Sequence, residues 1–60
     1  MEPHEIRELR LDLGLTREQF AKRLGVHGRT VMRWEQGNHE PTDRHEVALY
    51  KILKRRQYKR

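Results

Sequence analysis

The stretch VHGRTVMRWEQG, residues 26–37, decides how this chain folds. At helical spacing Val31 and Trp34 share one face, while Arg29, Met32, Arg33 and Gln36 share the opposite one. Surface helices ordinarily mix charges of both signs. This outward face carries two arginines, an exposed methionine and no acid. An apolar pair on one side and an unopposed cationic pair on the other predict a helix with two separate tasks, one toward the core and one toward a partner.

Working outward, the preceding segment TREQFAKRL, residues 16–24, begins with Thr16 and Gln19 at capping-box spacing and turns Phe20, Ala21 and Leu24 inward. Only LGVHG, residues 24–28, links it to the next helix. Two helices joined so tightly around a glycine must cross steeply, at about 90–120°, which is helix-turn-helix geometry. Ala21 would sit at the close approach, with Val26 plugging the turn.

The flanks supply two more helices. Pro3 suits an early helical position, with Glu2 and Glu5 at the positive end of the dipole. Ile6, Leu9, Arg10 and Leu13 then follow an i, i+3, i+4, i+7 stripe to a stop at Gly14. After Pro41, Thr42 caps a last helix whose inner face is Val47 or Ala48 with Leu49, Ile52 and Leu53. The expected spans are about 3–13, 16–24, 28–35 and 42–56, followed by a basic C-terminal tail. The fold class is all-α, a compact bundle of four helices in a single domain of residues 1–60, with a fifth helix left open. Arg10 is a charge on an apolar stripe and needs a partner. Glu35, beside Trp34, is the natural one, and removing one member of such a buried pair costs about 3–5 kcal/mol.

Bulk composition narrows the function. At 60 residues the chain buries only about 60% of the surface it exposes unfolded, so the core must be economical. There is no cysteine, which excludes disulfides and Cys-based zinc sites. The longest apolar run, VALY at 47–50, is far short of a membrane span, and the first ten residues hold no signal-like core. A cytoplasmic protein without a membrane partner is expected. Residues 1–26 carry five basic and five acidic side chains. Residues 27–60 carry nine basic and four acidic, so the whole excess of +5 lies in the second part. A one-sided basic surface suggests a polyanionic partner, although a solvated basic helix has the same composition.

With those residues in view, the run LRLDLGLTREQFAKRLGVHGRTVMRWEQGNHEP resembles the Cro/phage-repressor (XRE) family of helix-turn-helix DNA-binding domains. The shared elements are LGLT before the second helix, FAKRLGV through the turn and RTVMRWEQG with a proline beyond it. The resemblance implies a lambda-repressor-like helical bundle whose third helix enters the major groove of double-stranded DNA. It places Arg29, Met32 and Arg33 toward base edges, with Gly28 where a base-reading side chain often stands. It places Arg17, Gln36, Asn38, His39 and Arg44 near phosphates, Arg17 replacing the usual glutamine. His27 stands where a Ser or Thr cap is usual and falls on the same phosphate-facing edge. Arg10 and Glu35 match a structural ion pair.

The chemistry of these side chains agrees with such roles. Arginine donates two parallel hydrogen bonds to O6 and N7 of guanine, and a good pair is worth about 1–3 kcal/mol of discrimination. Arg29 and Arg33 are one turn apart, about 6 Å along the axis, and Met32 between them could press on a thymine methyl. Trp34 could stack on a single strand, but its spacing with Val31 turns it inward. His39 and His45 lack further ligands at metal spacing, so no metal or other cofactor is expected. No nucleophile or carboxylate pair sits beside a base, so an enzyme is not expected.

The expected function is sequence-specific double-stranded DNA binding by a small prokaryotic or phage transcription regulator, and the resemblance implies a repressor. The antitoxin half of a toxin–antitoxin pair remains an alternative. A homodimer on an inverted-repeat site and a toxin or other protein partner both stay open. So do the interface roles of Tyr50 and Tyr58, and the role of the tail KRRQYKR, residues 54–60, as a phosphate contact, a partner of the last helix's dipole or a solubilising segment.

Overall fold

The computed structural model describes residues 1–58, with side chains through Arg55. The expectations attached to Tyr58 and to the tail beyond Arg55 therefore lie outside the described side chains. The described residues form four helices and no strand: α1 (Pro3–Asp12), α2 (Arg17–Leu24), α3 (Gly28–Gln36) and α4 (Asp43–Tyr58).

Local chemistry accounts for most of the ends. At α1 the Glu2 backbone N–H donates to Glu5 Oε1 at 2.7 Å, and Pro3 occupies the first turn, where its missing N–H costs nothing. At α2 the capping box is reciprocal. The Gln19 N–H donates to Thr16 Oγ1 at 3.1 Å, and the Thr16 N–H donates to Gln19 Oε1 at 2.9 Å. Gly25 and Gly37 close α2 and α3 in the left-handed region, with φ of 73° and 78°. The Val26 N–H then reaches back to the Ala21 carbonyl at 3.0 Å, and the Asn38 N–H to that of Arg33, also at 3.0 Å. Each bond satisfies a carbonyl that the helix end would leave orphaned. His27 makes no side-chain cap at α3, so that helix start lacks the support given to α2. α4 continues two residues past its expected end, because nothing between Asp43 and Tyr58 breaks a helix.

The core is built from every helix: Ile6 and Leu9 from α1, Phe20 and Ala21 from α2, Val31 and Trp34 from α3, and Leu49 from α4. α2 and α3 pack most extensively against each other, and Ala21 allows that approach by having only a methyl group to bury. Leu13, Leu15, Leu24, Val26, Ile52 and Leu53 cover the rim. On α4 the inward choice falls on Ala48, whereas Val47 is 55% exposed. Trp34 is fully enclosed, with its ring 5.4 Å from that of His45. His45 Nδ1 in turn lies 3.0 Å from Thr42 Oγ1, so α4 is fastened to α3 by its first turn.

The chain start is also tied to α4. The Met1 ammonium lies 2.8 and 2.9 Å from the two Glu46 oxygens. That hydrogen bond is the main cause raising the ammonium pKa above its ordinary 8.0; desolvation opposes it and the fields of Glu46, Glu5 and Glu2 assist. A raised folded-state pKa means the contact contributes fully below about pH 8 and is lost as pH rises through the folded value. Thermal melts from pH 7 upward should show this fall, and Glu46→Gln should remove that part of the slope. Separately, Thr16→Ala should lower the unfolding free energy by about 1 kcal/mol, read from a shifted denaturant midpoint with an unchanged m-value.

Candidate nucleic-acid interface

α3 is held from behind and open in front. Val31 and Trp34 are buried, fixing the rotation of the helix, and that rotation turns Arg29 and Arg33 into solvent. Met32 is half-buried rather than exposed. The reason lies in neighbouring α2: Met32 lines a cleft of about 740 Å³ at the N-terminal ends of α2 and α3, together with Arg17, Glu18, His27, Gly28 and Arg29.

Gly28 has a reason of its own. A Cβ built on it would lie 3.0 Å from Glu18 Cγ and 3.6 Å from Glu18 Cα. The first residue of α3 therefore passes close to the first turn of α2, and a bare backbone is what the crossing accommodates with least adjustment. Glu18 is the one acid lining the cleft and was not singled out in the sequence. An exposed acid in a helix first turn reads as a dipole partner, and nothing local reveals that it meets Gly28 across the turn.

A shared carboxylate lies behind the cleft. Arg10 Nε donates to Glu35 Oε2 at 2.6 Å, Arg10 Nη2 to Glu35 Oε1 at 3.2 Å, and Arg10 Nη1 to the Leu15 carbonyl at 3.0 Å. Arg17 Nε donates to the same Glu35 Oε1 at 3.1 Å. The Glu35 side chain is only 2% exposed and that of Arg10 10%, whereas Arg17 is 44% exposed. A buried anion thus holds one arginine inside and a second at the surface. The second link, 18 residues apart in sequence, has no periodic signature that could have announced it.

The remaining candidates are spread along one edge. Gln36 and Asn38 are exposed, with Asn38 Nδ2 donating to Gln36 Oε1 at 3.2 Å. His39 is exposed beside a separate hollow of about 260 Å³ that includes Trp34, Pro41 and Glu46. Arg44 projects from the first turn of α4. Arg17, His27, Gly28, Arg29 and Met32 therefore share one cleft, and Arg33, Gln36, Asn38, His39 and Arg44 lie outside it. Among the described residues no three His, Asp or Glu side chains group as a metal site, and no helix is long and apolar enough to cross a membrane.

Two short helices crossing at a glycine turn, with the second exposing a cationic face, also correspond to a known family. A helix-turn-helix family model matches residues 6–55, most of the chain. The chain belongs to the XRE helix-turn-helix family. It is also similar to an uncharacterised HTH-type transcriptional regulator of Methanothermobacter thermautotrophicus, 46% identical over 37 residues, which cover 62% of this chain and 54% of that protein. The chain thus spans about half the length of the relative it matches. No solved structure matches.

Within this family fold, the buried carboxylate separates two kinds of arginine. Glu35→Gln should lower the unfolding free energy by about 3–5 kcal/mol, because it leaves Arg10 buried without a counter-charge. Arg17→Ala, which removes only the exposed arm, should cost less than about 1 kcal/mol. Denaturant titrations of the two variants check the difference.

Proposed function

We propose that the protein is a sequence-specific double-stranded DNA-binding regulator of transcription, a repressor of prokaryotic or phage type, which places α3 in the major groove. The observation that carries this reading is the pair Arg29 and Arg33, one turn apart on the exposed face of a helix whose other face is locked by Val31 and Trp34. A rigid helix offering two guanidinium forks suits bidentate recognition of guanine. The protein acts by binding alone, without a catalytic step.

Roles follow position. Arg29 and Arg33 read base edges. Half-buried Met32 offers its open portion to a thymine methyl, and Gly28 lets the backbone come near. Arg17, His27, Gln36, Asn38, His39 and Arg44 meet phosphates on either side, setting register rather than sequence preference. Arg17 is favoured for such a contact by its ordering. Its Nε is engaged by Glu35, while its terminal nitrogens have no partner among the described residues. A guanidinium held this way loses less side-chain entropy when a phosphate arrives. Two copies on an inverted repeat would read half-sites about 34–36 Å apart.

The test is selection from a random duplex pool at about 0.15 M salt, followed by titration of variants. Arg29→Ala and Arg33→Ala should each relax preference at one or two base pairs, by about 1–3 kcal/mol. Arg17→Ala should weaken all duplexes similarly and reduce the salt slope by about one. Identical preferences in both α3 variants would overturn the assignment of that helix.

A further inference from the structure

The far end of α2 carries a second concave surface, which the DNA reading does not use. Leu24, Ala48 and Ile52 floor a groove of about 510 Å³ between the C-terminal turn of α2 and α4. Arg23, Lys51, Lys54 and Arg55 rim it, all exposed, and among the described residues no acid lines it. Arg17 and Arg23 stand six residues apart, about 9 Å along the helix, and the groove shares no lining residue with the cleft at α3. We propose that this groove is a docking site for an acidic amphipathic helix of a partner protein, with apolar side chains on Leu24, Ala48 and Ile52 and carboxylates toward the four cations.

The pairing of an apolar floor with a basic rim selects that occupant. A phosphate backbone would use the rim and gain nothing from the floor. A membrane surface engages apolar groups that protrude, whereas these are recessed between two helices. A second copy of the chain offers acids on α1, but Glu5, Glu8 and Asp12 themselves border a hollow over Leu9, Tyr50 and Leu53. Beyond that hollow, Leu11 is the large apolar side chain that α1 exposes, too little for an apolar ridge. Ala48 to Arg55 spans about 10 Å, or two helical turns. A guest helix of two to three turns, with apolar residues at i, i+3 or i+4 and i+7, matches that length.

The experiment is fluorescence anisotropy with the full chain and a labelled helical peptide carrying leucine at i, i+3 and i+7 among glutamates. Saturable binding is expected, with at least a tenfold loss in Lys51→Glu/Lys54→Glu, whose exposed positions leave the fold intact by circular dichroism. Binding should be lost when lysines replace the peptide's glutamates or alanines its leucines. No binding, equal binding by the alanine peptide, or unchanged affinity in the double variant would overturn the proposal. So would tighter binding to phosphatidylglycerol vesicles than to the peptide, or a dimer by sedimentation that the peptide does not disturb. Because the site lies apart from α3, duplex affinity of the same variant separates failure here from failure of the DNA reading.

Discussion

The carboxylate of Glu35 is the point on which the molecule's two sides meet. It is nearly sealed from solvent, yet it binds Arg10 against the core and Arg17 at the surface. An isolated anion at such a depth would be strongly disfavoured, so the two guanidiniums are what make its burial tolerable. In return it ties α1, the start of α2 and the end of α3 together. The last turn of α3 cannot shift without disturbing both arginines, so the outward face is aimed by an ionic cluster as well as by packing.

Around that cluster, economy is the governing constraint. A chain of 60 residues has few apolar groups to spare, and seven of them form the buried core. Short connections keep the ordering cost low. Left-handed glycines at 25 and 37 end α2 and α3 while their following N–H groups satisfy otherwise orphaned carbonyls. His45 serves both Trp34 and Thr42, and the Met1 ammonium closes on Glu46. Small polar links thus do between helices what a larger domain achieves with a thicker core.

What the sequence revealed was whatever chemistry acts locally. Thr16 and Gln19 announce a capping box three residues wide, and Val31 with Trp34 announce an inward face. Arg10 announces a need for a partner, since a charge interrupts an apolar stripe. Periodicity stops short where two helices meet. It left Val47 and Ala48 undecided, because both border the same stripe, and it put Met32 in solvent without knowing that α2 stands beside it. The approach of Gly28 to Glu18 and the attachment of Arg17 to Glu35 are products of the crossing angle, which a helical wheel does not contain.

The division of α3 into a locked face and an open face also bears on how such a protein can change over time. Positions 29, 33 and 36 project into solvent and carry little of the packing. They can exchange side chains with small effects on folding, while 31 and 34 cannot. On the proposed reading, new preferences arise at 29 and 33 by single substitutions, each variant inheriting the same scaffold, while a change at 36 alters a DNA-backbone contact. Position 32 is the exception, because it is half-buried and a change there would alter the cleft together with the proposed readout. On that reading the helix is a short cassette with two free letters and one that is shared.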